Sequence, residues 1–259
     1  MSTVTSRSKK EDGLAYDEYG DDGPTVLLIH SLGTSKRLFA DTAHLLAGRR
    51  VIAIDLPGHG DSDAPSFEYG IPDYADHLMA FMHTLDLRPD VLGGTSIGAG
   101  IALEICSRPR HNSSSLLLNG LAGWHLASQG AARRKTVSEA VLGPDGLPRA
   151  GISVGGTVRP VDLGEAEKRE KDLQRSGRWF CSALWAITTY DPISRLQHVD
   201  VPTTILMGEA DFHVPTGYAL EDGIRGARVS IVPGAGHLTP YDAPEAMNTA
   251  VNDLLGDIN

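Results

Sequence analysis

Cysteine is almost absent. The only two, Cys106 and Cys181, lie far apart with no metal-type spacing around either, and Cys106 falls on the apolar side of an expected helix, as a buried free thiol. Positive charge is also short: 23 Lys and Arg stand against 33 Asp and Glu, for a net charge of −10. Nucleic acid and anionic membrane would both repel such a chain, so neither is an expected partner. No apolar run approaches the ~20 residues that span a bilayer. Residues 1–12 are polar and lack the apolar stretch of a signal peptide, so the expected location is cytoplasmic. There is no internal repeat and no low-complexity tract. Gly98-Ala99-Gly100 lacks the third glycine of a dinucleotide fingerprint, and no Gly-Lys-Ser/Thr phosphate loop occurs. No histidine or cysteine pairing has metal-site spacing. No cofactor and no metal are expected.

What is present is an ordinary apolar content, 41% of 259 residues, enough for a sizeable core. Residues 13–20 alternate apolar and polar and read as an antiparallel edge strand. Residues 25–30, 50–55, 91–95, 115–119, 202–208 and 229–232 are short runs of the kind that fills a sheet covered on both faces. Helical patterns separate them, at residues 35–46, 71–85, 98–107 and 247–255. This alternation predicts an α/β fold: a mostly parallel twisted sheet of about eight strands with helices on both faces. The rhythm stops after Gly120 and resumes near Pro202. Connections in such sheets usually take about 2–6 residues, so residues 121–190 read as an inserted helical cap, with residues 1–120 and 191–259 forming the core. Within the cap, residues 162–175 read as a charged surface helix and residues 179–187 as an apolar-striped one. Residues 143–160 read as a mobile loop.

The stretch that carries chemistry is Gly94-Thr95-Ser96-Ile97-Gly98, between an apolar strand and an Ala-rich helix. Gly-x-Ser-x-Gly in that context is a nucleophile elbow: a tight turn that holds the serine hydroxyl clear of the sheet. A serine needs a base within hydrogen-bond reach, and the base needs a buried carboxylate to fix its tautomer. Functional groups in an α/β sheet gather at the carboxyl ends of strands. Asp211, just past one late strand, and His237, just past the next, meet these demands in the required chain order. Glu209 and Asp61 are less well placed, and Asn119 cannot ionise. His44, His77, His83, His111, His125 and His198 fall in helices or surface segments. His213 is too near Asp211 in sequence to serve as a separately positioned base. His30 and His59 end strands near the site and are expected to brace loops. Oxyanion donors are expected from the N–H groups of Ile97 and Leu32.

Together these motifs resemble the α/β-hydrolase superfamily over nearly the whole chain outside the cap. The run Asp55 to Ser62 is similar to that family's turn after its fourth strand, which is structural there. Ser31 replaces the glycine of the usual His-Gly pair. Ser31-Leu32-Gly33-Thr34 is similar to the loop of beta-ketoadipate enol-lactonases, which hydrolyse a small acidic lactone. The resemblance implies a serine hydrolase acting on an ester or lactone of a small organic molecule. As a runner-up it permits carbon–carbon bond hydrolysis of a dienoate, and, less favoured by the intact triad, a lyase or ligand-binding member that keeps the fold. Haloalkane dehalogenase and epoxide hydrolase chemistry fit poorly, because such relatives carry an aspartate where Ser96 stands. The expected partner is a small-molecule substrate, with the chain a monomer or homodimer. Ser31, Trp124, Trp179 and Trp185, with Phe180, are candidates to line its pocket.

Overall fold

The computed structural model describes residues 6–122, 127–151 and 156–258. The chain begins with a hairpin of β1 (Ser6–Glu11) and β2 (Leu14–Tyr19). Asp12 and Gly13 join them at φ of 47° and 77°, the pair of positive angles that a two-residue mirror-image turn needs. There follow β3 (Thr25–Ile29), a 3-10 turn (Lys36–Phe39), α1 (Ala40–Leu45), β4 (Arg50–Ile54) and α2 (Ile71–Thr84). β5 (Val91–Thr95), α3 (Ile97–Cys106) and β6 (Leu116–Asn119) complete the first part. Three helices then precede β7: α4 (Ala127–Val141), α5 (Leu163–Ser176) and α6 (Trp179–Thr189). β7 (Thr203–Gly208), α7 (Val214–Gly223), β8 (Arg228–Val232), α8 (Thr239–Asp242) and α9 (Pro244–Ile258) close the chain.

The eight strands form one sheet in the order β1-β2-β4-β3-β5-β6-β7-β8. Only the pairings of β1 with β2 and of β2 with β4 are antiparallel. Alternation along the central strands supplies both faces. Leu27, Ile29, Ile52 and Ile54 pack with the buried stripe of α2 (Ile71, Tyr74, Leu78, Phe81) and with α3. Val26, Leu28, Val51 and Ala53 face the other way, onto Leu254, Val251 and Met247 of α9. Among the described residues no helix is long and apolar enough to cross a membrane.

Two expectations are corrected here. Residues 13–20 were expected at the sheet edge, but all six residues of β2 are buried, because β1 pairs outside them. β1 has no apolar residue to announce it. Backbone pairing holds it, together with Ser8 donating to Asp17 at 2.6 Å and contacts of Arg7 and Lys9 with Glu18. Its exposed basic residues suit an edge that must not recruit another chain. The second correction concerns α5. It is more than a solvated helix: Asp172 on its inner face is buried, accepts from Ser35 Oγ at 2.7 Å and pairs with Arg37.

A second ion cluster ties this helix to the core. Lys36, almost fully buried, donates to Asp55 and Asp61 at 2.7 Å each, and Arg175 of α5 reaches Asp61 at 2.5 Å. Burial pulls the Lys36 ammonium down, but the two carboxylates outweigh it and hold it above its ordinary value. The hydrogen bond from Lys36 is in turn the main reason that Asp61 falls to about 2. Asp55 is fully buried and also accepts from the Lys36 and Asp61 backbone N–H groups. Removing the ammonium therefore leaves a charge in the core. Lys36→Met should cost about 3–5 kcal/mol in urea unfolding. Asp61→Asn, at a half-exposed carboxylate, should cost no more than about 1 kcal/mol.

Candidate active site

Ser96 sits between β5 and α3 at φ 57° and ψ −114°, a conformation that a non-glycine residue adopts only when its surroundings enforce it. The enforcement is steric. A Cβ on Gly98 would overlap the carbonyls of Ile29 and His30, and one on Gly94 would overlap the backbone of Gly98. The first turn of α3 therefore lies directly against the ends of β3 and β5. Ser96 N–H donates to the Asn119 carbonyl at 2.9 Å, which ties the turn to β6.

The other half of the site stands on β7 and β8. Asp211 follows the end of β7, is buried, and accepts the His213 backbone N–H on Oδ1 at 2.9 Å. Its Oδ2 lies 2.9 Å from His237 Nδ1; a carboxylate only accepts, so Nδ1 carries the hydrogen and Nε2 is left with a lone pair. Burial alone would raise the Asp211 carboxyl. The hydrogen bond and proximity of His237, with the His213 N–H, outweigh burial and hold it below the ordinary carboxylate range.

The loop bearing His237 is fastened on both sides. Gly236 N–H donates to Asp242 at 2.7 Å, Ala210 N–H to the Ala235 carbonyl at 2.9 Å, and Leu238 N–H to the Gly156 carbonyl at 2.9 Å. Asp242 also takes the N–H groups of Val158 and Arg159, so one carboxylate staples the segment before α5 to the histidine loop. The rivals for the acid are engaged elsewhere. Glu209 accepts from Gly234 N–H at 2.9 Å, and Asp61 belongs to the Lys36 cluster. Asn119 uses its amide to join the Leu206 carbonyl and Thr239 Oγ1, both at 3.0 Å. A carboxylate there would lose both donated bonds.

Leu32 lies in the turn after β3, and the Ser31 carbonyl organises that turn. It accepts from His30 Nδ1 at 2.7 Å, from Thr34 Oγ1 at 2.8 Å and from Thr34 N–H at 3.2 Å. Because Leu56 N–H donates to His30 Nε2 at 2.9 Å, the neutral ring must carry its hydrogen on Nδ1. His30 thus braces the turn as expected. The Ile97 N–H is the first of α3.

A cavity of about 320 Å³ brings these elements together. Ser31, Leu32, Ser96, His213 and His237 line it from the core, and Arg133, Val137, Val141, Phe180 and Leu184 from the cap helices. The two described tryptophans are elsewhere. Trp179 packs on Gly58, beyond β4, and Trp185 is 56% exposed with Arg134 4.2 Å from its ring. Neither lines this cavity, because Phe180 and Leu184 share one face of α6 and the two tryptophans lie about a third of a turn to either side of it. Trp124 lies outside the described residues. Arg133, Phe212 and His213 were missed. The Arg133 guanidinium sits 4.0 Å from the Phe212 ring centre. α4 has too little apolar periodicity to betray its inner face, and His213 was set aside for its closeness to Asp211 in sequence.

Three buried histidines set the acid limit of the fold. Burial holds His30, His59 and His213 below the ordinary imidazole range, the last two down to about 3. In the unfolded chain each binds a proton near pH 6.5; in the folded chain it does not. The contribution of His59 and His213 is complete above about pH 6.5 and is lost as the pH falls toward 3, at on the order of 1.4 kcal/mol per pH unit for each; His30 acts in the same direction. Asp172, raised by burial, works in the opposite sense and only near the carboxylate range. Urea unfolding from pH 7.5 to 5 should show this slope, reduced by about one proton in His59→Phe. Stability that stays flat across that window would contradict it.

Comparison with known proteins places this geometry in context. The sequence profile described as "Alpha/beta hydrolase family" matches residues 26–250. An AB hydrolase superfamily protein of Bacillus subtilis is 25% identical over 255 residues, 88% of this chain and 90% of that one. A haloalkane dehalogenase of Mesorhizobium japonicum is 34% identical, but over 112 residues, 42% of this chain and 36% of that protein. The enol-lactonase of Burkholderia xenovorans LB400 has a similar structure, with a TM-score of 0.73 at 20% identity, covering 96% of this chain and 100% of its own. With the family profile spanning the strands from β3 to β8 and the loops that end them, the chain belongs to the α/β hydrolase family.

Proposed function

We propose that this hydrolase cleaves an ester or lactone of a small organic molecule, with Ser96 as nucleophile, His237 as base and Asp211 as its orienting acid. One observation carries the proposal: a serine in enforced elbow geometry shares a cavity with a histidine whose Nδ1 is held by a buried carboxylate. Ser96 Oγ attacks the carbonyl carbon while its proton passes to His237 Nε2. Asp211 stabilises the imidazolium that forms. The N–H groups of Ile97 and Leu32 receive the developing oxyanion. The imidazolium then protonates the leaving alkoxide, and a water molecule, deprotonated by His237, releases the acyl group.

The dehalogenase likeness points to a different nucleophile. The family resemblance places an aspartate at the elbow of such enzymes, and this chain has Ser96 there. For the substrate, Arg133 is the single formally charged side chain among the described cavity-lining residues. In a chain of net charge −10, an inward cation favours a substrate that carries a carboxylate away from the scissile bond.

A fluorophosphonate should label the protein once, and Ser96→Ala should abolish labelling. That variant and Asp211→Asn should each lower kcat for a responsive aryl ester or lactone by on the order of 10⁴-fold. Labelling that survives Ser96→Ala would remove the nucleophile assignment. Arg133→Ala should raise KM about tenfold for an ester bearing a free carboxylate, the scale of one charge-assisted hydrogen bond, and leave KM for its uncharged analogue unchanged. Equal effects on the two esters would sink the carboxylate preference.

A further inference from the structure

The hydrolytic sequence above makes no use of the His213 imidazole, yet that ring is 95% buried against the base. Its centroid is 5.4 Å from that of His237, and the two rings and the Asp211 carboxylate each offer a ligand atom within 4.8 Å of the others. We propose that Asp211, His213 and His237 form a binding site for a divalent transition-metal ion, zinc or its like, and that occupation of this site switches the hydrolase off.

The donor set is two imidazole nitrogens and one carboxylate oxygen, which suits zinc, cobalt or copper rather than magnesium or calcium. Ligands at about 2.0–2.1 Å in a tetrahedral shell sit roughly 3.4 Å apart. The spacing here is therefore open by at most about 1.4 Å, which a bound ion would have to draw closed. Asp211 supplies the negative charge. Arg133 lines the same cavity and its charge acts on His213, so it opposes a dication and keeps affinity moderate, as a reversible inhibitory site requires. No sequence spacing announces this set, because the ligands come from the ends of two different strands.

Inhibition follows from proton bookkeeping on one ring. The nitrogen of His237 beside Asp211 is Nδ1. When the metal takes the Nδ1 lone pair, the hydrogen that Nδ1 carried must move to Nε2, and the imidazole stays neutral. Nε2 then has no lone pair with which to accept the Ser96 proton. The bond between metal and nitrogen replaces the Asp211 hydrogen bond, and nothing is oxidised or reduced. Binding stands on geometry alone, whereas loss of turnover rests on the proposed role of His237.

Binding and turnover are tested separately. Chelator-treated Ser96→Ala protein keeps all three ligands and lacks the nucleophile. Titrated with Co²⁺, it should develop visible absorption bands that saturate at one equivalent and are erased by Zn²⁺. His213→Asn in that background should raise the half-saturating Co²⁺ more than about tenfold; His213→Gln serves if thermal melting shows that the Asn variant does not fold. In protein with Ser96, Zn²⁺ should suppress ester turnover and a chelator should restore it. The suppressing concentration should rise more than about tenfold in the His213 variant, measured against its own metal-free rate. Absent bands, or bands that His213 substitution leaves unchanged, overturn the site. Bands without any effect of Zn²⁺ on turnover overturn the switch. Bands in a protein that turns over no ester or lactone support the site while removing the proposed hydrolysis.

Discussion

The close approach of the first turn of α3 to the ends of β3 and β5 is the contact on which the rest of the site depends. It exists because Gly94 and Gly98 present no Cβ to the backbones they meet. That contact leaves Ser96 no ordinary conformation and fixes it at positive φ. It also brings the first turn of α3 against the end of β3, from which the Ser31–Thr34 turn departs. The strain, of the order of 1–3 kcal/mol, is offset by the fully buried apolar surface of α3.

His237 and Asp211 are held by different means. Their positions come from hydrogen bonds rather than from close packing: Asp242 on three N–H groups, Asn119 across β7 and α8, and Gly156 on Leu238. Polar contacts perform the same task between α5 and the core, where Arg175 reaches Asp61 of the Lys36 cluster and Asp172 accepts from Ser35 Oγ and pairs with Arg37. Such pairs add little net stability compared with apolar packing, but they penalise any arrangement that parts them.

The core of the fold was legible because its strands are continuous apolar runs and its helices repeat at 3.6 residues. So was the chain order of Ser96, Asp211 and His237, because each follows a strand end. Other features left no such trace. β1 is polar throughout and becomes a strand only through its partner. α4 has no sustained apolar stripe, so Arg133 was not placed in the cavity. The inner face of α5 is formed by Arg169 and Asp172 as well as Leu173, charged residues that a periodicity reading assigns to solvent. Tryptophan drew attention by size, while the smaller Phe180 and Leu184 on another face of α6 line the cavity. His213 shows the general limit: nearness in sequence argued against a role, and only the folded chain sets its ring against His237.

The central claim is that Ser96 forms the covalent acyl intermediate. It is tested most directly by mixing the protein with an excess of an activated aryl ester, quenching within the first turnover and mapping the acyl mass by peptide mass spectrometry. The acyl group should be found on the peptide that contains Ser96, at the serine. An acyl mass on a carboxylate or on any peptide without Ser96, or product accumulating with no acylated peptide, would contradict it.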